Sequence, residues 1–520
     1  MSGSYRPKYH ASALSGWAND PNGLIFYQGK AHLFYQHYPH KPEWGTMHWG
    51  HFVTDDFVHW ENLPIALAPD QPYEILCGCC SGSAIERDGK LCLMYTAAQP
   101  DLQRQCFAVS ADGVQFAKDP DNPILTSDML SPEVSKSDCR DPRMFRKGDT
   151  YYAIAGARVL DPETAKKAPN GVTGKNAPPS SLSSLSGAPR SPSMGDVSGI
   201  DPQTAGYGNL ILIKSADLRH WKYVGKLIYE SDDWNIEYFR LNGVYECPDY
   251  FTDNGEEVLL SSPQNLPRMG NRYQNVHSVV YMLGKLDFQT GRFDIRDIQE
   301  LDAGFDIYAA QTLRTPDNRI VMIAWKEMWD RNYPTQAENW AGTYTLPREL
   351  RVQGGKLIQT PVREIEKYRQ NRVFHDGVTV ENQSVSLDGV SGNVIELRAV
   401  LETGTASKAG VKLFCGGGYE TLFYYDRDKG AFVFDRSRSG VPFRGHEKDV
   451  NVRYCDVGPL DSVKLDLFLD VCSLEAFING GERVMTGNVY PDLEAGVGVE
   501  FFAEGGQGRF RDVEKFDIVV

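Results

Sequence analysis

The stretch that decides the fold is DPNGLIFYQGKAHLFYQ, Asp20 to Gln36. A polar residue leads into a short apolar run, a Gly-containing turn follows, and a second apolar run completes the unit. Two such runs across a tight turn read as a β-hairpin. The same lead recurs at Ser81 (SGSAIERDGKLCLMYTA), Asp141 (DPRMFRKGDTYYAIAGA), Glu246 (ECPDYFTDNGEEVLLSS) and Ala309 (AAQTLRTPDNRIVMIAW), at intervals of 61, 60, 105 and 63 residues. A second echo lies between the leads. Thr54-Asp55-Asp56-Phe57-Val58-His59-Trp60 is similar to Ser110–Phe116 and Ser215–Trp221. A period of about 60 residues with four strands per unit describes a β-propeller. Five leads predict five blades.

The long third interval has a visible source. Residues from Leu160 to Gly206 include KAPNGVTGKNAPPSSLSSLSGAPRSPSMGDVSG, rich in Ser, Pro, Gly and Ala. Such a segment has too few large apolar residues to bury a core. It reads as a long loop inserted in the third blade, over about 160–206. Pro361 to Arg372 (PVREIEKYRQNR) reads as a short helical connector. Beyond it, SVSLDGVSGNVIELRAVL, TLFYYDRDKGAFVFDRS and VKLDLFLDVCSLEAFINGGERV alternate apolar and polar residues, as the strands of a β-sandwich do. The expected fold is all-β: a propeller over 1–360, a linker over 361–372 and a sandwich over 373–520.

Composition narrows the function. Net charge is −15, which disfavours nucleic acid as a partner, because phosphate binding needs a basic face. The first residues lack a basic region followed by an apolar one, and no apolar run is long enough to span a membrane. The expected location is the cytoplasm, as a monomer or homodimer. Ten cysteines lie mostly in apolar runs, as reduced, buried cysteines do. Cys77 and Cys80 form a C-x-x-C, but no second pair or nearby His completes a zinc set. No metal or cofactor is expected.

In a propeller the first strand of each blade lines the central channel. Three of the five leads then present a carboxylate at what reads as equivalent depth: Asp20, Asp141 and Glu246. Each is followed by proline, directly or after Cys247, and proline restricts the residue before it to an extended conformation. One Asp-Pro alone would be an Asx-type turn. Three on different blades converge on one axis. Such a cluster suits either a divalent cation or a glycosidic bond, whose cleavage with retention uses two carboxyls about 5–5.5 Å apart. Asn19, Gln36 and Arg140 can bond hydroxyls, and Trp17, Trp44, Trp49 and Trp325 can supply apolar walls. These neighbours favour sugar over metal.

GWANDPNG, the downstream Gln36, WGTMHWGH, CRDP, YECPD, DIYAAQT, WAGTYTLPREL and VCSLEAFINGGERVMTGNVYP, in this order, resemble glycoside hydrolase family 32, the β-fructofuranosidases. The likeness covers nearly the whole chain except the Ser/Pro-rich insert. It implies a retaining hydrolase of sucrose, sucrose-6-phosphate or short fructo-oligosaccharides. By the same resemblance Asp20 is the nucleophile, Glu246 the acid/base, and Asp141 the group that holds fructosyl hydroxyls and stabilises the transition state. Asn19, Gln36, Trp44, Ser81, Arg140, Tyr308 and Trp325 fall at positions similar to the family's substrate pocket. One departure stands out: Cys80 occupies the place of the family's usual aromatic before Ser81.

The chemistry asks for an ionised Asp20 and for a Glu246 that starts protonated near neutral pH. Cys139 and Cys247, beside the acids, read as packing residues. Lys326, Arg331, Arg268 and Arg272 are the basic residues weighed for a 6-phosphate, each equally readable as solvated charge. Two other readings share the sequence: fructosyl transfer through the same first half-reaction, and a carbohydrate-binding propeller with a dead site.

Overall fold

A computed structural model describes residues 4–99, 102–160, 206–242, 244–445 and 450–520. The inserted loop expected over 160–206 lies almost entirely outside them. Its two ends, Leu160 and Gly206, face each other as the last paired residues of one hairpin.

Five antiparallel sheets form the N-terminal part, in the topology expected of five blades. Their first strands are Gly16–Tyr27, Cys79–Arg87, Val134–Lys147, Val244–Asp253 and Tyr308–Arg314. Each packs against the first strands of its two neighbours, so the five close a ring. Two-residue turns with positive φ at both positions, Gln28-Gly29, Asp88-Gly89 and Asn254-Gly255, join first to second strands, as the twist of a hairpin requires. The second sequence echo is a side-chain-capped turn between third and fourth strands. Asp56 Oδ1 accepts the amides of Val58 (2.9 Å) and His59 (2.8 Å), and Asp112 and Asp217 repeat the pattern.

Ring closure is made by Trp340–Ala341, which pairs in parallel with Gly16 and Trp17 of the first strand. The next residue must be glycine. Gly342 has φ +112°, and a Cβ there would lie 2.1 Å from the Ala18 carbonyl oxygen.

Every first strand carries a β-bulge at the same depth. Two residues, Asn19-Asp20, Asp141-Pro142, Cys247-Pro248 and Ala309-Ala310, fall between ladder pairs that leave room for one on the partner strand. Ser81 is the extra residue of the second blade. Bulges re-aim side chains and release backbone from the ladder, and proline fits there because no ladder N–H is lost. Asp141, Cys247 and Ala309 all have positive φ, at 59°, 43° and 55°, so the residues before Pro142 and Pro248 are not extended as expected but turned by the bulge. This corrects the register read from the sequence. Cys247, not Glu246, stands at the position of Asp141 and Ala309, and Asp20 stands one step later as the second residue of its bulge. Glu246 is the ladder-paired residue just before its bulge, with Ala18, Cys80, Arg140 and Tyr308.

Just past the bulges, polar side chains tie blade to blade. Ser83 Oγ donates to the Pro142 carbonyl (2.7 Å). Asp249 accepts the Thr312 amide (2.6 Å) and hydroxyl (3.0 Å). Gln311 donates to the Gly82 carbonyl (2.9 Å) and accepts the Leu24 amide (3.2 Å).

The expected helical connector is a short 3-10 helix, Arg363–Tyr368, and strand structure resumes at Arg369 rather than at 373. The C-terminal strands form one sheet folded into a sandwich. Its hinge is the long strand Gly498–Ile518, whose first part pairs with Lys408–Gly416 and whose second part pairs with Val394–Glu402. Phe423, Phe432, Phe434, Leu467, Phe501 and Phe510 fill the space between the layers.

This sandwich packs on the propeller across a seam that holds buried ion pairs. Arg348 bonds Glu475 (2.7 Å) and Asp302 (3.0 Å). His10 lies between Asp470 (2.7 Å) and Glu475 (2.9 Å). No helix among the described residues is long and apolar enough to cross a membrane.

Candidate active site

The bulges deliver their side chains to one pocket at the mouth of the ring. Its wall includes Asn19, Asp20, Gln36 and Trp44 from the first blade, and Cys80, Ser81, Thr96, Ala98 and Gln103 from the second. Arg140 and Asp141 of the third, Glu246 and Gln264 of the fourth, and Trp329 complete it.

The three acids are buried and differently held. Asp20 Oδ2 accepts the Ser81 hydroxyl at 2.8 Å. Asp141 Oδ2 accepts the Cys247 amide at 3.0 Å, and its own amide donates to Thr96 Oγ1 at 3.0 Å. Glu246 receives Arg140 Nε on Oε1 (2.9 Å) and the Tyr308 hydroxyl on Oε2 (2.6 Å). The Cys247 thiol sits 3.6 Å from both Asp20 Oδ2 and Asp141 Oδ2.

Charge and burial set the protonation. Burial, then the charge of Glu246, raises Asp20 to about 6, against the bonds from Ser81, Asn19 and Cys247. Burial and Glu246 also raise Asp141 to about 7, while Arg140 works the other way. Burial followed by Asp20, Asp141 and Glu246 pushes the Cys247 thiol well above its ordinary value, so it stays neutral and donates to carboxylates. Sequence reading took Cys247 as packing; the geometry makes it a donor shared by two acids.

The description "Glycosyl hydrolases family 32 N-terminal domain" matches residues 10–166 and 199–361. "Glycosyl hydrolases family 32 C terminal" matches residues 364–518. The chain belongs to glycoside hydrolase family 32. It is 35% identical to a sucrose-6-phosphate hydrolase of Zymomonas mobilis over 521 residues, covering 97% of this chain and 91% of that protein. It is 32% identical to the sucrose-6-phosphate hydrolase of Escherichia coli, covering 94% and 90%. Among solved structures it resembles the Bombyx mori family 32 β-fructofuranosidase, with a TM-score of 0.75, 29% identity, and 99% and 94% of the two chains covered. These relatives are named as hydrolases, and nothing in them favours the transfer or binding-only readings.

Within this family 32 hydrolase the expected residues divide. Asn19, Gln36, Trp44, Ser81 and Arg140 line the pocket with the three acids. Tyr308 lies behind Glu246 and reaches it by its hydroxyl. Trp325 does not reach the wall. It is fully buried, packed edge-on against Trp17 (5.8 Å) and Trp329 (5.1 Å), and Trp329 occupies the surface expected of it. Trp49 is also fully buried, with Nε1 on the Cys80 carbonyl.

The basic residues weighed for a phosphate are elsewhere. Lys326 is buried against Ser473 at the domain seam, Arg331 is buried beside Asp306 and Asp330, and neither Arg268 nor Arg272 lines the pocket. Sequence reading missed Thr96, Ala98, Gln103, Gln264 and Trp329. Thr96 and Ala98 are legible afterwards, because they alternate along the strand that pairs with the Ser81 lead.

Proposed function

We propose that this hydrolase is a retaining β-fructofuranosidase that acts on sucrose-type substrates through a covalent fructosyl-enzyme. The observation that carries the reading is the convergence of three buried carboxyls, each held by different partners, on a single pocket. The Asp20 carboxylate attacks the anomeric carbon of the fructosyl unit. The glycosidic C–O bond breaks, and its electron pair takes the proton of Glu246 as the other sugar leaves. Glu246, now a carboxylate, accepts a proton from water, whose oxygen attacks the same carbon and releases Asp20. Asp141 binds fructosyl hydroxyls and balances positive charge at the transition state.

Burial and the charge of Glu246 raise Asp20 and Asp141 toward neutral pH. Glu246 is the carboxyl held by a cation and a phenol. Cys80 in the wall leaves more room beside Ser81 than an aromatic would.

The names of the relatives support sucrose or its 6-phosphate as the substrate class. All ten cysteines are free thiols, which supports a reducing, cytoplasmic location.

Asp20→Ala and Glu246→Ala should each lower sucrose turnover by at least about a thousandfold, with unchanged circular dichroism. Near-normal turnover in either variant would overturn the assignment. Comparing kcat/KM for sucrose, sucrose-6-phosphate and kestose fixes the preferred leaving group.

A further inference from the structure

We infer that Asp138, outside the pocket wall, is a positioning residue that sets how much of the Arg140 charge reaches Glu246. The inference rests on the reading of Glu246 as the acid/base. Asp138 and Arg140 lie two residues apart on the strand Val134–Lys147, so their side chains project to the same face. One carboxylate oxygen of Asp138 receives Arg140 Nη1. The other receives Arg158 Nε at 2.8 Å, from the paired strand Thr150–Leu160. Arg140 Nε meanwhile reaches Glu246 Oε1 at 2.9 Å. The result is a line of alternating charge, Arg158, Asp138, Arg140, Glu246, with every side chain no more than 13% exposed.

The guanidinium of Arg140 is therefore divided between two carboxylates. An undivided arginine in low dielectric holds its partner as an anion, and an anion cannot protonate a leaving group. Asp138 offsets that pull. Arg158 tempers Asp138 in turn, because a neutralised Asp138 competes less strongly.

The remaining groups that act on Glu246 are Tyr308, Asp20, Asp141 and Cys247. Asp138 is also felt by the buried thiol of Cys139. Burial pushes the Asp138 carboxyl up, but Arg140 and Arg158 outweigh it and hold the group below its ordinary value. Asp138 is therefore a permanent anion across the working range, a fixed counter-charge rather than a proton carrier.

The test is the pH profile of kcat/KM for sucrose, whose alkaline limb reports loss of the general-acid proton. Asp138→Asn removes the counter-charge and should move that limb to lower pH by on the order of one unit. Arg158→Met frees Asp138 to oppose Arg140 and should move it the other way. Opposite shifts support the inference. A limb unmoved in both variants, or moved the same way in both, overturns it. If Asp138→Asn does not fold, the direction of the Arg158→Met shift decides alone. A Glu246→Ala enzyme with normal turnover would instead sink the acid/base reading, so the two failures are distinguishable.

Discussion

The Tyr308 hydroxyl lies 2.6 Å from Glu246 Oε2 and 2.9 Å from the Ser262 carbonyl oxygen. Burial, and then the charge of Glu246, pushes its ionisation well above the ordinary phenol range, so it remains a donor at any working pH. A donor to a carboxylate favours the charged form. Tyr308→Phe keeps the ring and deletes the donor. We expect kcat/KM for sucrose to fall roughly tenfold, the worth of a hydrogen bond to a charged group. The alkaline limb should move to higher pH. A profile of unchanged shape would show that the hydroxyl only packs.

Asp20 links activity to stability with a definite sign. Its ordinary value of 3.8 rises to about 6 in the fold, so the folded state binds the proton more tightly than the unfolded chain does. The stabilising contribution is complete below about pH 3.8 and is lost as pH rises through about 6. At pH 8 the ionised Asp20 costs the fold up to about 3 kcal/mol. Asp20→Asn should abolish turnover and raise the melting temperature at pH 8, and that gain should shrink toward pH 4. Scanning calorimetry at the two pH values checks it; an equal gain at both would rule the mechanism out.

Gln264 is a buried amide in the pocket wall whose Nε2 makes no hydrogen bond to any described residue. An unpaired buried donor is costly, and a ligand hydroxyl can satisfy it. It stands opposite Val244, one pleat step nearer the strand start than the pairing of Glu246 with Ser262. We assign that side of the pocket to the leaving group. Gln264→Leu should lower kcat/KM for sucrose about ten- to hundredfold and leave methyl β-fructofuranoside nearly unchanged, because the methyl group offers no hydroxyl there. Equal losses on both substrates would assign Gln264 to the fructosyl side instead.

Arg348 is fully buried at the seam between propeller and sandwich, with Glu475 and Asp302 as its partners. Removing one member of a buried charge network strands the others. Arg348→Ala should therefore destabilise the protein by about 3–5 kcal/mol, read by urea denaturation. A loss below about 1 kcal/mol would mean that water enters and solvates the two carboxylates.

Much of the fold was legible because repetition is written in the leads, and the leads come from hairpin chemistry that any blade must satisfy. The site was legible to within one residue. Acids were matched to acids, which set Glu246 beside Asp20 and Asp141. Prolines are no exact ruler either: Pro142 and Pro248 are the second residues of their bulges, but Pro21 already pairs with Tyr35. A bulge adds a residue without a compositional mark, so pattern alone does not count it. Trp325 and Trp329 show another limit. Both are tryptophans near one strand end, and only the path of the loop beyond that strand decides which one meets solvent. Gln264 and Asp138 had no signal at all, because Gln264 matters for the pocket it faces and Asp138 acts on Glu246 only through Arg140.

The parallel pairing of Trp340–Ala341 with Gly16 and Trp17 also fixes when the enzyme can first work. Asp20, Asp141 and Glu246 all leave the ribosome before the segment that fastens the first blade to the last. A chain stopped between residues 247 and 307 would hold every proposed catalytic group and no fifth first strand, and one stopped before 340 would still lack the strand that fastens the ring. Competence arrives late and all at once, with the joining of the chain's beginning to a point two-thirds of the way along it.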